Sequence, residues 1–536
     1  MTRARKRGKD APAYVESWPL RATPAQRSVV ETHFSAGLRV YNACLGEALR
    51  RSALVKADPA WAEAKEMPRG AKGTSASKAR SDAFDGVNNR HGFTLGDLQS
   101  YGSGLRRHWV REHVLSQEAQ HLAERAFGAV KRYHLGLAGR PRFKSWRRGL
   151  HSMESKSREG SLRPVFSDEG ILTGLQWGKG FVLGIARAKT ETESAELLRL
   201  SRAVEAGWLR ARIVKTTIGG RDTYRAQFVC DGRPPLRHPL GSERVSIDLG
   251  PSTVDVVSDT GSFTAPLADG LKHKTSELRR QQRHLDRQHR SASPDCFNPD
   301  GTHVKGRCHW NTRSKNARRT QARVADLHRK TAAHRLSMHG HLWNRLQAIG
   351  VDARAEKLNY VAWQKMFPRS VRDRAPGLFI EIGRRKAASA DGSFYEYSPW
   401  TTALSQTCVC GGRSKKRLSE RVHRCACGVE APRDRFSAFL GLYVRSVADP
   451  ETGEIQDLLD VEEARQSLLN RHDIGGHPAS GSTKLRGSRR RWHPSHPRAV
   501  ARRRARLSSG GDRAVRGEPT QPVPTAGATT AEAVAA

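Results

Sequence analysis

The sequence lacks a long apolar span, a lipidation motif and a signal peptide. Residues 1–10 have the basic start of a targeting segment, but the apolar core that must follow is missing. These absences exclude a membrane-spanning protein and count against a basic protein that binds the membrane surface. We therefore predict a cytoplasmic protein without a membrane partner.

Acidic residues are scarce. The 536-residue chain has 53 Asp and Glu against 94 Lys and Arg, a formal net charge of +41. Because this excess is spread over most of the chain, it is not the solvated face of a single helix. A polyanion partner is the simplest interpretation, so we expect a nucleic-acid-binding protein associated with the nucleoid.

Cysteine is also scarce, since the chain has eight, too few for a disulfide scaffold of this length. Four of them form the pairs Cys408-Val-Cys410 and Cys425-Ala-Cys427, each followed by a glycine. Two such pairs have the shape of a zinc ribbon, in which each presents two thiolates to a tetrahedral Zn²⁺. The usual spacing has two residues inside each pair, whereas here there is one. Four buried free thiols are the alternative.

Three carboxylates stand out by their positions. The stretch RVSIDLGPSTVDVV (244–257) predicts two closely spaced strands, with Asp248 near the end of the first. A lone Asp at such a place is as often a turn former. However, Glu356 follows a second predicted strand, and Asp434 lies at the start of an apolar-periodic helix. Carboxylates in the order Asp, Glu, Asp can hold two divalent cations about 4 Å apart, which promote phosphoryl displacement.

The periodicity changes along the chain. Thr23-Pro-Ala-Gln26 predicts a capped helix start, and the apolar stripe that follows is interpreted as core. Residues 163–240 alternate like strands. Residues 271–346 are helical and densely basic, so a solvated hairpin and a helical pair along a phosphate backbone both remain open. We predict that the chain is disordered beyond about Asp473, and that residues 484–506, which are rich in arginine without an acid, form a tail that binds polyanions without specificity.

With these features in place, the chain resembles the TnpB (OrfB-type) proteins of bacterial transposons. These are RNA-guided DNA nucleases related to the type V CRISPR effectors. The resemblance runs from about Tyr14 to about Leu442 and is most specific at its end, because a zinc ribbon just before the third carboxylate is particular to these proteins. The motifs that carry it are LRATPAQ, LRVYNACL, GRPRFK, IDLGPS, HRKTAAHRLSMH, AEKLN, SQTCVCGG, RCACG and RDRFSA.

The resemblance implies an α+β multidomain fold. In chain order, its parts would be a basic arm and the first strand of a wedge domain (1–22), a helical recognition lobe (23–162), a wedge-like β-barrel (163–240), a RuvC-like (RNase H-like) α/β nuclease domain (241–445) with a zinc ribbon inserted at about 400–432, and a mostly disordered basic C-terminal tail (446–536).

The resemblance also implies the site residues. The catalytic triad, which would hold Mg²⁺ in a two-metal site, falls on Asp248, Glu356 and Asp434, and the Zn²⁺ ligands fall on Cys408, Cys410, Cys425 and Cys427. Nucleic-acid contacts are expected within the matching motifs, at Arg39, Tyr41, Asn42, Arg142, Phe143, Lys144, Arg329, Lys330 and Arg335.

The function implied is that of an RNA-guided, Mg²⁺-dependent endonuclease, with a guide RNA and a double-stranded DNA target as partners. A guided DNA-binding repressor that does not cut is the alternative, although it has no need of three carboxylates. A type V CRISPR effector would use the same chemistry. The carboxylate order and the lack of a Tyr or His-His recombinase signature count against a strand-joining transposase. The oligomeric state stays open, with a monomer among the readings.

Overall fold

The structure is a computed structural model that describes residues 11–71, 73–146, 149–236, 238–304, 306, 314–417, 419–448 and 454–474. The predicted basic arm at 1–10 and the arginine-rich run at 484–506 lie outside the described residues. Among the helices in the described part of the chain, none is long and apolar enough to cross a membrane.

The first part of the chain is mostly helical. Its helices are α1 (Pro24–Ala57), α2 (Pro59–Glu66), α3 (Ser75–Arg90), α4 (Leu95–Gly104), α5 (Val110–His113) and α6 (Ser116–His134). The predicted cap begins α1, because Thr23 Oγ1 accepts a hydrogen bond from Gln26 N at 3.2 Å and Gln26 Oε1 accepts one from Thr23 N at 3.0 Å. The predicted stripe on α1 is buried from Val30 to Leu45 and packs against α6, as a core interpretation requires.

Two open β-sheets adjoin these helices. Their strands are β1 (Ala13–Leu20), β2 (Ser152–Glu154), β3 (Leu162–Phe166), β4 (Leu172–Trp177), β5 (Phe181–Gly184), β6 (Trp208–Ile218) and β7 (Arg221–Asp231). One sheet has the strand order β1-β7-β6-β2 and the other β3-β4-β5. Helix α7 (Glu191–Gly207) contacts β1, β6 and β7 of the larger sheet and β4 of the smaller one.

The predicted wedge-like β-barrel is therefore wrong for the described strands, since neither sheet closes. The alternating pattern of residues 163–240 concealed α7, which starts where Thr190 Oγ1 accepts a hydrogen bond from Glu193 N at 3.1 Å. The helix buries Leu200 and Val204. Helix α7 packs against both sheets, and a single antiparallel bridge between Leu20 and Ile185 links them without closing a ring of paired strands.

A five-stranded sheet organises the second half of the chain. Its strands are β8 (Arg244–Leu249), β9 (Thr253–Ser258), β10 (Ser262–Pro266), β11 (Asp352–Glu356) and β12 (Phe394–Tyr397). The strand order is β10-β9-β8-β11-β12, in which β8, β11 and β12 pair in parallel and β9 pairs antiparallel with both β8 and β10. The described chain is thus a mixed α and β fold of several parts, as predicted.

Helices pack on both faces of this sheet. The helices of this part of the chain are α8 (Lys272–Ala292), α9 (Lys315–Ile349), α10 (Tyr360–Met366), α11 (Pro368–Arg374), α12 (Pro376–Ser389), α13 (Pro399–Thr402) and α14 (Arg433–Gly441), with a short 3-10 turn at Pro294–Cys296. The main contacts with the strands come from α9, α12 and α14. Val245 and Ile247 of β8 share a core with Trp343 of α9 and Phe379 of α12. Helix α14 packs on the opposite face, directly after a small hairpin of β13 (Val422–Arg424) and β14 (Glu430–Pro432).

The first part of the predicted tail, from residue 446 to about Asp473, beyond which we predict disorder, contains regular structure. Strands β15 (Val444–Ala448) and β16 (Ile455–Leu459) form a hairpin, and α15 (Val461–Leu469) follows. Leu468 and Ile474 are buried in the core that surrounds α14. The buried Arg471 donates from Nη1 to Ser258 O at 2.7 Å and to Asp259 O at 2.8 Å. The polar composition of this segment concealed its few buried anchors.

We expect these anchors to contribute to stability. Leu468 is 4% exposed, and its neighbour Leu469 is 61% exposed. Leu468→Ala should lower the free energy of unfolding by about 2–5 kcal/mol, because it removes buried methyl groups and leaves a cavity. Leu469→Ala, the control, should change it by no more than about 0.5 kcal/mol. Denaturant unfolding of both variants measures this, and equal effects would show that α15 is not part of the core.

Candidate active site and zinc centre

Parallel pairing of β8 and β11 places two of the three predicted catalytic carboxylates side by side. Ala355 lies opposite Ile247, so the next residues, Glu356 and Asp248, are neighbours at the carboxyl ends of their strands. Ile247 and Ala355 belong to the core shared with α9 and α12. Because side chains alternate along a strand, Asp248 and Glu356 lie on the face covered by α14.

Asp434 lies in the first turn of α14, which packs on β8, β9 and β11. A carboxylate is favoured there by the positive end of the helix dipole. Two arginines also pair with it, Arg433 Nη2 at 2.9 Å from Oδ1 and Arg421 Nη1 at 3.3 Å from Oδ2. The side chain of Arg421 is 70% exposed and that of Arg433 is 11% exposed. The third carboxylate is thus held by cations from the zinc-ribbon region.

The surroundings of Asp248 and Glu356 oppose ionisation. Burial raises the pKa of Asp248 well above its usual range, and the charges of Asp434 and Glu356 raise it further, against a smaller opposing effect of Arg433. Burial also raises the pKa of Glu356. A bound cation relieves repulsion of this kind.

The donor set fits a hard divalent cation by its chemistry. Asp248, Glu356 and Asp434 offer carboxylate oxygens, which suit Mg²⁺. The three carboxylates are too far apart to bind one ion together. Within the described ranges, the four cysteines are the one group of His, Cys, Asp or Glu side chains whose ligand atoms lie close enough to hold a single metal ion. The two arginine pairs of Asp434 are a physical reason for this spread.

Sequence reasoning missed two polar residues on the same sheet face. Asp255 lies opposite Asp248 in the β8–β9 pair, is 8% exposed and accepts a hydrogen bond from Thr264. Tyr397 lies opposite Glu356 in the β11–β12 pair and is 2% exposed. These side chains extend the carboxylate pair into a row across four strands. The signal for Asp255 was present, because an acid interrupts the apolar run VDVV.

The two cysteine pairs face each other. The Sγ atoms of Cys408 and Cys427 lie 3.6 Å apart, those of Cys410 and Cys425 lie 3.5 Å apart, and all four lie within 4.8 Å of one another. These distances are too long for disulfides and approach the edge of about 3.8 Å expected of a tetrahedron with Zn–S bonds of about 2.3 Å. The cluster could therefore hold one Zn²⁺. Because Cys410 and Cys427 are exposed, the alternative of four buried thiols is wrong.

Glycines make the one-residue spacing workable. Gly411 N donates to Cys408 O at 2.9 Å and Gly428 N donates to Cys425 O at 2.9 Å, which closes a tight turn around each pair. The φ angles of Gly411 and Gly428 are 81° and 91°, a left-handed conformation that residues with a Cβ rarely adopt. The turns thus bring sulfurs together that the sequence spacing alone left in doubt.

Two of the motifs expected to contact nucleic acid lie together. Asn42 Nδ2 donates to Lys144 O at 2.9 Å, and Lys144 N donates to Asn42 Oδ1 at 3.0 Å. The ammonium of Lys144 lies 5.3 Å from the ring centroid of Tyr41, which is buried. Asn42 and Tyr41 therefore anchor the basic turn, while Arg142 and Phe143 are exposed to a partner.

The surface around this turn carries both cations and aromatic rings. The guanidinium of the exposed Arg39 lies 5.1 Å from the ring centroid of Trp109. Trp109 is 39% exposed, Phe143 58% and Trp146 67%. Exposed rings among cations are typical of surfaces that bind single-stranded nucleic acid.

On α9, the expected contacts are partly engaged within the protein. Asp326 pairs with Arg329 at 2.8 Å and with Lys330 at 2.9 Å. Arg335 donates to the carbonyl of Arg372. Arg335 thus links α9 to α11, whereas the side chain of Lys330 remains 56% exposed.

Comparison with known proteins gave structural matches alone, since no protein-family model and no curated protein matches the chain. The chain is similar to the cryo-EM structure of a Cas12f1–sgRNA–target DNA complex, with a TM-score of 0.39, 11% identity, and coverage of 81% of this chain and 99% of that chain. It is also similar to the cryo-EM structure of a CRISPR-Cas12f ternary complex, with a TM-score of 0.27, 11% identity, and coverage of 82% and 99%. Both TM-scores are below 0.5, so the function of this chain has to be argued from its own residues.

The cysteine cluster generates a direct prediction. Protein purified without chelator should carry about one Zn²⁺ per chain, because four thiolates complete its tetrahedral coordination. Cys425→Ala should lose the zinc, whereas Cys44→Ala, which removes a buried cysteine in α1, should retain it. Metal analysis by mass spectrometry measures both variants. Wild-type protein without zinc would refute the assignment.

Proposed function

We propose that this protein is an RNA-guided, Mg²⁺-dependent DNA endonuclease of the TnpB type. The observation that carries the proposal is the placement of Asp248 and Glu356 side by side at parallel strand ends, with Asp434 on the helix that covers the same face. The net charge of +41 supports a polyanionic substrate. Guided recognition also suits a sequence without a helix-turn-helix signature, because base pairing then reads the target.

The residues of the row have distinct tasks in this proposal. Asp248, Glu356 and Asp434 would hold the divalent ions, which supply an activated water and charge stabilisation at the scissile phosphate when bound. The fixed register of β8 and β11 positions two of these ligands before substrate arrives. Asp255 and Tyr397 flank them on the neighbouring strands and limit the positions that their side chains can occupy.

Arg421 has the freedom to serve the substrate. Its guanidinium pairs with Asp434 but is 70% exposed, so it can exchange that carboxylate for a phosphate of the bound strand. Arg433, which is 11% exposed, would stay and keep Asp434 oriented.

A guided DNA-binding protein that does not cut is the second candidate. It is favoured by the pairing of Asp434 with two arginines, which keeps the third carboxylate engaged elsewhere. The two candidates differ in whether the three carboxylates bind metal and whether the protein then cuts DNA. A type V CRISPR effector would share the first chemistry and differ in genomic context.

Removal of Arg421 should strengthen metal binding. A cation in the row competes with the arginines for Asp434, so Arg421→Gln should lower the dissociation constant for Mn²⁺ about two- to fivefold, as expected for an exposed ion pair. Arg424→Gln is the matched control, because Arg424 lies on the same hairpin, is 71% exposed and pairs with Glu430 instead. Electron paramagnetic resonance of free Mn²⁺ measures binding without catalysis. Equal shifts in both variants would mean that only net charge matters.

The carboxylates should be needed for cutting and not for guided binding. Protein co-expressed with its flanking non-coding RNA should cut matched double-stranded DNA in Mg²⁺ and stop in EDTA. Asp248→Ala, Glu356→Ala and Asp434→Ala should each abolish cleavage, and a double variant should be little worse, because the ligands act as a unit. Asp391→Ala, at a side chain that is 78% exposed, is the control. Cleavage and gel-shift assays on the same preparations separate the two properties.

Two outcomes would contradict this proposal in different ways. Wild-type protein that binds the matched target tightly and does not cut it in Mg²⁺ or Mn²⁺ would establish the non-cutting candidate. Protein that holds no specific RNA and cuts without one would be an unguided nuclease.

A further inference from the structure

Trp400 is the most exposed large apolar side chain in the described part of the chain. It is 90% exposed, against 75% for Ile455, the next. Tryptophan normally buries much of its ring on folding, and here folding uses almost none of it. A single exposed apolar residue is ordinary by itself, so the argument depends on how this ring is mounted and where it lies.

The short helix α13 that carries Trp400 is held firmly. Ser398 N donates to Asp457 Oδ2 at 2.7 Å, and Ser398 Oγ accepts from Trp400 N at 3.3 Å. Thr402, which is 1% exposed, donates from Oγ1 to Ser398 O at 2.8 Å. Arg413 of the ribbon donates from Nη2 to Thr401 O at 3.0 Å. The exposed indole therefore projects from a fixed backbone, which lowers the entropy that a partner must overcome.

Helix α13 lies at the end of the sheet where the carboxylates are. Strand β12 ends at Tyr397, which pairs with Glu356, and Lys357 N donates to Tyr397 O at 2.9 Å. Trp400 follows three residues later, and such a length of chain spans at most about 10 Å. The backbone of Trp400 is thus within about 10 Å of Tyr397, at the end of the row that contains two of the proposed metal ligands.

The neighbouring ribbon is basic. An open cleft of about 280 Å³ is lined by Lys415, Lys416, Arg421 and Arg424, with Glu420 as the one acid among its lining residues. Arg413, which donates a hydrogen bond to Thr401 O of α13, adds a further cation. An aromatic ring on a helix that is hydrogen-bonded to this basic segment combines the two features that bind unpaired nucleic acid without reading its sequence.

We propose that Trp400 is a stacking platform for a base of the unpaired DNA strand that enters the carboxylate row. The proposal rests on the proposed nuclease function and adds a specific contact to it. The indole would stack on one base, while Arg413 and the ribbon cations would pair with the adjacent phosphates. Trp400 would position the strand and would take no part in the chemistry.

The test measures stacking without cleavage. Full-length protein in EDTA is titrated into a short single-stranded oligonucleotide with one 2-aminopurine, whose fluorescence falls when the base stacks on an aromatic ring. Trp400→Ala should weaken binding about 5- to 100-fold and lose most of the quenching, whereas Trp400→Phe should retain most of both. Trp400→Leu should behave like Trp400→Ala, because apolar area without a π-face does not replace the ring.

Salt dependence separates stacking from charge. The slope of log affinity against log salt should be unchanged in Trp400→Ala and shallower in Arg413→Gln, because phosphate contacts release counterions and stacking does not. Ile455→Ala, which removes a 75% exposed apolar side chain from β16, is the control for apolar area and should leave binding unchanged. Thermal unfolding of Trp400→Ala should match the wild type, since the ring is 90% exposed.

The outcomes separate this proposal from the nuclease proposal. If Trp400→Ala binds and quenches like the wild type, the platform is refuted, whatever the protein cuts. If Trp400→Ala loses stacking while the wild type never cuts, the platform stands and the nuclease fails. If sedimentation shows that Trp400→Ala only breaks a self-association, with DNA binding intact, the ring is a protein contact and the platform is refuted.

Discussion

The pairing of β8 with β11 is the interaction on which the rest of the candidate site depends. Its register places Asp248 beside Glu356, and a slip of β11 by one residue against β8 would turn Glu356 into the core of α9 and α12. Packing on both faces therefore enforces the register. Strand β11 also holds the chain that follows α14, because Arg354 Nη1 donates to Leu442 O at 2.7 Å and to Val444 O at 2.9 Å. The strand that carries Glu356 is thus tied to the end of the helix that carries Asp434.

The predicted zinc ribbon, whose four cysteines could hold one Zn²⁺, packs against α14. Strand β14 ends at Pro432, and α14 begins at the next residue. The ring of Phe436 on α14 lies 4.3 Å from that of His423 in the ribbon. At the other end of α14, a Cβ on Gly441 would lie 2.2 Å from Ser246 Oγ and 2.6 Å from Tyr397 Oη, so only glycine permits this approach to the sheet. Order in the ribbon and the position of Asp434 are therefore coupled.

The large positive charge has more than one use. Arg471 is buried and holds the C-terminal segment to β9, and Arg354 does the same for β11. Arg244 pairs with Asp259 at 2.9 Å within the β8–β9 hairpin. These arginines hold parts of the fold together, whereas Arg142 and Arg421 are exposed and accessible to a partner. The net charge indicates a polyanionic partner, but fewer cations are available to bind it than the sequence suggests, because some are paired within the fold.

The sequence by itself determined features whose causes lie within a few residues. The cap at Thr23, the strand with Asp248 near its end and the glycine-closed cysteine turns follow from local hydrogen bonding, alternation and φ preference. Only the tertiary structure decided that the two N-terminal sheets stay open, that Leu468 and Ile474 are buried in the core around α14, that arginines hold Asp434, and that the ring of Trp400 faces solvent. Each of these depends on contacts between residues far apart in the chain, and periodicity in one segment carries no information about which other segment will cover it.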